Sequence, residues 1–187
     1  MFPRATLTRD ERETLVLDTA ADLFYARGVH EVGMDELVRA TGLGKATVYR
    51  LFGTKDALVG AYLDRLATTI LALVDADLER HADDARAAVR AIFAAIAEDV
   101  GRDGFRGCAF NNASVEFAAG HPARQAAAAY RAALRSRLRA VAGAAVGDRL
   151  ALLVDGMYTS AAHLGPDGPA AAGPALADAL MAAAAPR

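Results

Sequence analysis

The sequence predicts an all-α chain, with an N-terminal three-helix module containing a helix-turn-helix and a C-terminal helical bundle behind it. The 187 residues are 54% hydrophobic, rich in Ala and Leu and without Trp, a composition suited to closely spaced helices. From residue 15 onward the apolar residues recur at helical spacing. The segment Thr41-Gly42-Leu43-Gly44 places a tight turn between two short helical patterns, which is the layout of a helix-turn-helix. A boundary is expected at residue 53, giving a first domain over 1–53 and a second over 54–187.

The elements follow in order. Thr8 and Glu11 form a capping box, and Leu15, Val16, Ala20, Leu23 and Phe24 continue one helical stripe until Gly28 stops it. A second helix is expected over 34–40 and a third from Lys45, with Val48, Leu51 and Phe52 packing inward. Thr54 caps a long helix whose Leu58, Tyr62, Leu63, Leu66, Ile70, Leu73 and Val74 share a stripe. Asp83 or Asp84 starts the next helix, with Val89, Ile92, Phe93, Ile96 and Val100 inward, and 101–107 is a loop. The stretch 105–117 then mixes aromatics with Cys108, Asn111, Asn112 and Glu116, as ligand linings do.

His121-Pro122 opens another helix, because proline suits a first helical turn. Tyr130, Leu134, Leu138 and Val141 face inward there, and Arg131, Arg135 and Arg139 form a solvated face. Two final helices are expected over 150–164 and 175–185, joined by a Gly-Pro turn at 165–169. Leu150, Leu153, Val154, Met157, Leu176, Leu180 and Met181 exceed what one partner helix can cover, so a two-fold, four-helix interface between two copies is expected.

Net charge is −2, which excludes nucleic-acid binding by bulk electrostatics. Local charge differs: residues 37–60 hold Arg39, Lys45, Arg50 and Lys55 against Asp56 alone, and Lys45 and Lys55 are the chain's two lysines. Lys45, Thr47, Tyr49 and Arg50 offer donors along the exposed side of the third helix, and Lys55 opens the long one. Together these five are the candidate DNA contacts. Lys45 and Arg50 suit guanine edges; Thr47, Tyr49 and Lys55 suit phosphates.

Gly44-Lys45-Ala46 lacks the earlier glycine and the Ser/Thr of a phosphate-binding loop. No clustered His or Cys and no Gly-x-Ser-x-Gly is present, so no metal, cofactor or catalytic site is expected and the chain is not read as an enzyme. A single cysteine fits a reducing compartment. The most membrane-like stretch, 140–164, is interrupted by Asp148, Arg149 and Asp155, and residues 1–4 start no apolar signal segment, so a cytoplasmic protein without a membrane partner is expected.

The order of a turn, a small residue, Thr47, Val48, Tyr49, Phe52, Lys55 and Leu58 resembles the signature of the TetR family of bacterial regulators over residues 8–60. Gly44 stands where that family commonly has a Ser cap, a change costing only a few tenths of a kcal/mol. Asp35, a negative charge where such proteins often approach phosphate, is assigned no DNA contact. The resemblance implies a homodimeric regulator, a repressor released from a palindromic double-stranded operator by a small-molecule effector. It also implies an effector pocket among Leu66, Ile70, Phe93, Ile96, Cys108, Phe110, Asn111 and Tyr130. Two alternatives accompany this reading: a helical-bundle binding protein or enzyme with a vestigial helix-turn-helix, and a redox-responsive repressor sensing through Cys108.

Overall fold

The computed structural model describes residues 7–184. The reading of residues 1–4 and the end of the last helix at Ala185 therefore lie outside the described residues. The elements are α1 (Arg9–Arg27), α2 (Met34–Thr41), α3 (Lys45–Phe52), α4 (Lys55–Arg80), α5 (Ala85–Gly101), α6 (Ala109–Glu116), α7 (Pro122–Ala142), α8 (Ala144–Leu164) and α9 (Gly173–Ala184), with a 3-10 turn at Pro169–Ala172. No strand occurs among the described residues.

The chain forms two compact units: one takes the residues up to Leu66 together with Ala109–Ala127, the other Ala67–Cys108 with everything from Ala128 on. The division expected at residue 53 does not coincide with these units. The first half of α4, all of α6 and the first turns of α7 pack with the N-terminal helices, and neither helical spacing nor composition marks such a return of the chain.

In the first unit, Thr8 closes the capping box of α1, its Oγ1 accepting from the Glu11 amide at 3.2 Å while its own amide donates to Glu11 Oε2 at 2.7 Å. Val16, Leu17, Ala20, Val32, Leu37, Val48, Leu58, Val59 and Leu63 are buried. His121 caps α7, its Nδ1 accepting from the Ala123 amide at 3.1 Å, which directs its Nε2 toward Asp56 Oδ1, 3.3 Å away. The His121 ring stacks on Phe117 with centroids 3.9 Å apart, and His30 lies 4.9 Å from the other partner of that stack, Phe117. His30 Nε2 also meets the Glu116 carbonyl at 3.2 Å. These contacts join the loop before α2 and the first turn of α4 to the 116–121 segment.

In the second unit α5, α8 and α9 pack on one another, with the 3-10 turn against α8 and α9. Leu150, Val154, Met157 and Ala161 of α8 and Gly173, Ala177 and Met181 of α9 are buried there. A Cβ on Gly173 would meet Met157 Sδ at 2.2 Å, so the buried Met157 side chain occupies the space that glycine leaves at the start of α9. Helix α8 begins at Ala144, six residues before the expected start, because Gly143 (φ 79) turns the chain directly out of α7.

Two expectations are corrected, one on the arginine row of α7 and one on the stripe of α4. Arg135 and Arg139 both bind Asp148, at 2.7 and 2.9 Å, and Arg131 pairs with Asp155, so this row clamps α7 to α8 and is not simply solvated. Leu73, assigned to the buried stripe of α4, is instead 65% exposed, while Val74 takes the inward position.

Among the described residues one helix, Lys55–Arg80, is long and apolar enough to cross a membrane. This replaces 140–164 as the most membrane-like stretch, whose helical part, Ala144–Leu164, carries Asp148, Arg149 and Asp155. The charges of α4 are engaged within the protein: Arg65 pairs with Asp18, and Asp75 receives Arg137 Nε and Nη2 at 2.6 and 2.7 Å.

Asp178 of α9 accepts from Arg86 at 2.6 and 2.5 Å and from Arg90 at 2.5 Å. Arg86 first, and Arg90 second, hold its carboxyl well below the usual carboxylate range. A carboxylate with a depressed pKa in the folded state contributes stability above its unfolded value, about 3.9, and loses that contribution as pH falls through the folded value. The expected result is that Asp178→Asn is less stable than wild type at pH 7, with the two urea midpoints converging as pH falls below about 4. Parallel midpoints across that range would show that the pair contributes nothing to folding.

Candidate nucleic-acid interface

The helix-turn-helix is built by its turn. Gly42 ends α2 in the left-handed region (φ 63), its amide donating to the Val38 and Arg39 carbonyls at 3.0 and 3.2 Å. Thr41 is fully buried, and its Oγ1 donates to the Val38 carbonyl at 3.0 Å while accepting from the Leu43 amide at 3.3 Å. A buried hydroxyl satisfied on both sides fixes the angle at which α3 leaves α2. Leu43 and Val48 are buried beneath α3, and Leu51 and Phe52 are half-buried.

The remaining face of α3 presents Lys45, Ala46, Tyr49 and Arg50 to solvent, with Thr47 half-buried beside them. Lys45 Nζ lies 5.8 Å from the Tyr49 ring centroid, within cation–π range. Arg50 Nη2 donates a long, exposed hydrogen bond to Thr47 Oγ1 at 3.5 Å. Gly44 caps α3 without a side-chain hydrogen bond. Thr54 Oγ1 accepts from the Ala57 amide at 3.1 Å, starting α4 and carrying the half-buried Lys55 at its first position.

One participant was not expected in the sequence. Asp35, in the first turn of α2, meets Lys45 Nζ at 2.7 Å, and both side chains are largely exposed (76% and 61%). The Lys45 ammonium lowers the Asp35 carboxyl below the ordinary range, and Asp35 raises Lys45 in return. Ten residues of sequence separation hide this pair, because only the crossing of α2 and α3 brings the two together.

The residues assigned to an effector pocket fall in both units: Leu66, Phe110 and Asn111 in the first, and Ile70, Phe93, Ile96, Cys108 and Tyr130 in the second. Phe93, Phe110, Cys108 and Tyr130 are buried, and Leu66, Ile70, Ile96 and Asn111 half-buried. Within the second unit, Tyr158 Oη donates to Asp99 Oδ2 at 2.8 Å. Burial first, then the neighbouring Cys108 thiol, push the Tyr130 phenol above its usual range; burial and Asp99 do the same to Tyr158. Sequence reasoning missed Asp99 and Tyr158, which sit singly on α5 and α8 without a local motif. No group of three His, Cys, Asp or Glu side chains able to hold a metal occurs among the described residues.

The expected dimer face needs a correction. Leu150, Val154 and Met157 are buried in their own protomer and are unavailable to a partner. Helix α8 has two apolar sides: positions 150, 154, 157 and 161 face the core, and Leu152, Gly156 and Thr159 face outward. The outward side, with Leu153, Leu176, Leu180, Ala179 and Ala183, lines an open groove of about 700 Å³ between α8 and α9. Leu152 and Leu176 are 73% and 51% exposed in it.

Residues 16–62, which enclose the helix-turn-helix, match the family model described as bacterial regulatory proteins, tetR family. The crystal structure of SCO4454, a TetR-family transcriptional regulator from Streptomyces coelicolor, is 31% identical, with a TM-score of 0.87 over 94% of this chain and 96% of that one. The transcriptional activator FasR of Mycolicibacterium smegmatis is 36% identical over 96 residues, 50% of this chain and 44% of that protein. The transcriptional repressor Rv3405c of Mycobacterium tuberculosis is 36% identical over 69 residues, 37% of either chain. These matches span less than half the length of the last two relatives. The shared turn, the shared three-helix head and the near-complete overlap with SCO4454 establish that the chain belongs to the tetR family of bacterial regulatory proteins.

Proposed function

We propose that the chain acts as a homodimeric, one-component transcription regulator in which α3 enters the major groove of a palindromic operator. The observation that carries this reading is the exposed row Lys45, Tyr49 and Arg50 on a helix whose opposite side, Val48, is fully buried. Lys45 and Arg50 are assigned to base edges, and Thr47, Tyr49 and Lys55 to phosphates, which set the register of α3 on the duplex. Two such helices sit about 34 to 36 Å apart, or a multiple, to meet successive major grooves. The proposed mode is repression, which asks only that the protein occupy a promoter. Among the relatives, FasR is named an activator and Rv3405c a repressor. The compartment is the cytoplasm, where the operator is.

A small-molecule effector is proposed to bind the helical body and weaken DNA binding. The buried Tyr130 and Cys108, with the half-buried Asp99–Tyr158 hydrogen bond in the same unit, supply polar groups able to orient it. Both α4 and α7 run from one unit into the other, so a shift of either helix is felt at both ends. A coupling of about 1 to 3 kcal/mol changes affinity roughly 5- to 150-fold, provided the effector prefers one state of the protein.

The test is anisotropy at fixed salt, with competitor DNA, on the intergenic segment beside the gene. Wild type is expected to bind with a Kd on the order of 10 nM or tighter, and Tyr49→Ala and Lys45→Ala to lose at least about tenfold. Lys55→Ala is expected to lower the slope of log K against log salt by about 0.9 for each phosphate contact removed. Weak binding indifferent to all three substitutions would favour a helical bundle that acts without DNA.

A further inference from the structure

We propose that Asp35 and Lys45 act as one reading head for a single G·C base pair in each half-site, Lys45 on the guanine and Asp35 on the cytosine. The inference rests on the DNA-binding reading above and deepens it. Its starting point is the 2.7 Å contact between Lys45 Nζ and Asp35 Oδ1 on the exposed side of the helix-turn-helix.

An ammonium carries three donors and a carboxylate only acceptors. Lys45 spends one N–H on Asp35 and lies 5.8 Å from the Tyr49 ring centroid, which leaves two further N–H donors on a largely exposed ammonium. Asp35 has a second oxygen, Oδ2, able to accept. A donor and an acceptor 2.7 Å apart match the centre of a base pair's major-groove edge, where an acceptor oxygen and a donor amine are separated by their own hydrogen bond, about 2.9 Å.

Both pair types offer that centre, guanine O6 with cytosine N4 or thymine O4 with adenine N6, and the flanking atoms decide between them. Beside guanine O6 lies N7, a second acceptor that the same ammonium can share. Beside thymine O4 lies a methyl group, which gives an ammonium nothing. On the carboxylate side, cytosine presents no further acceptor, whereas adenine N7 places a lone pair against Asp35. The pair therefore fits G·C in one orientation and is repelled by the reverse orientation, which would set carboxylate against O6 and N7.

A carboxylate on a DNA-facing surface is costly against phosphates, and beyond favouring the positive start of α2 two functions toward DNA are open to it. It either lowers affinity for all DNA or reads a base. Selection from a random duplex library, followed by Kd measurement on the selected palindrome and its single-position variants, separates them. For wild type, one symmetric position is expected to demand G·C, with roughly fivefold or greater loss for each other pair. Asp35→Ala is expected to lose the preference at that position and keep it elsewhere, and Lys45→Ala to relax the same position.

Asp35→Ala that binds every duplex tighter with unchanged base preferences would overturn the proposal, leaving Asp35 a phosphate-repelling charge. A preference for A·T at the position controlled by both residues would overturn it as well. Failure of wild type to select any sequence would instead defeat the DNA-binding reading on which the proposal stands. Asp35 and Lys45 are both exposed, and unchanged helicity of the variants by circular dichroism confirms that folding is not what has altered.

Discussion

The Leu152→Glu, Leu176→Glu double variant is expected to sediment as a monomer at micromolar concentration and to bind the full palindrome at least about 100-fold more weakly than wild type. Leu152 and Leu176 are exposed in the protomer and line the α8/α9 groove with Leu153 and Leu180. An exposed apolar groove of this kind marks an interaction surface, and a two-fold axis would set the same face against itself, closing four helices around it. Two carboxylates in each face, four in the pair, would be buried against one another with only one Arg149 per face to offset them. Because both side chains are already exposed, the protomer itself is expected to keep its melting temperature. The DNA effect follows from effective concentration: two linked reading heads gain about 10²- to 10⁴-fold over one. Affinity for an isolated half-site should remain near that of the wild-type protomer. A double variant that stays dimeric by analytical ultracentrifugation would place the interface elsewhere.

Local signals gave the N-terminal elements. The capping box at Thr8 and Glu11, the Gly42 turn and the Thr54 cap are interactions within three or four residues, so their spacing alone announces them. The long-range arrangement is a different matter. The segment Ala109–Ala127 joins the N-terminal helices through His30, Phe117, His121 and Asp56, in contacts between residues 65 to 87 positions apart, and no pattern in either segment carries that pairing. The candidate site divides in the same way. Lys45, Thr47, Tyr49 and Arg50 could be identified from one helical turn and its buried counterpart Val48, whereas Asp35 enters only through the crossing of α2 and α3.

The apolar face of α8 shows how a correct composition can be given the wrong direction. Counting Leu150, Leu153, Val154, Met157, Leu176, Leu180 and Met181 suggests two helices with more apolar surface than one neighbour covers, and in α8 that surface divides into a buried row and an outward one. Direction within that helix depends on where α5 and α9 lie, and Leu150, Val154 and Met157 turn toward them. Helical periodicity distinguishes 150, 154 and 157 from 152, 156 and 159. It does not say which set meets the core.

Gly147→Ala is expected to destabilise the protein by about 2 kcal/mol or more, lowering the melting temperature by roughly 5 to 10 °C. Gly147 is the fourth residue of α8, where the helix crosses the end of α7 immediately after the Gly143 turn. A Cβ there would stand 2.5 Å from both Arg139 Cα and Arg139 N, and 2.7 Å from the Leu138 carbonyl carbon. These are backbone atoms of a helix and cannot swing aside as the end of a side chain would. The two helices would have to separate by about 1 Å, and separation stretches the clamp that Arg135 and Arg139 make on Asp148. Alanine's better helix propensity returns about 1 kcal/mol, which is smaller than the usual overpacking cost when backbone must move. Gly101→Ala provides the control, since nothing lies within 4 Å of its added methyl, and its melting temperature should be unchanged or slightly higher. If Gly147→Ala melts with that control, the α7/α8 crossing is looser than its geometry requires. If only Gly147→Ala falls, the close crossing holds the end of α7 on α8, and Leu134, Leu138 and Leu150 owe their burial in part to one missing methyl group.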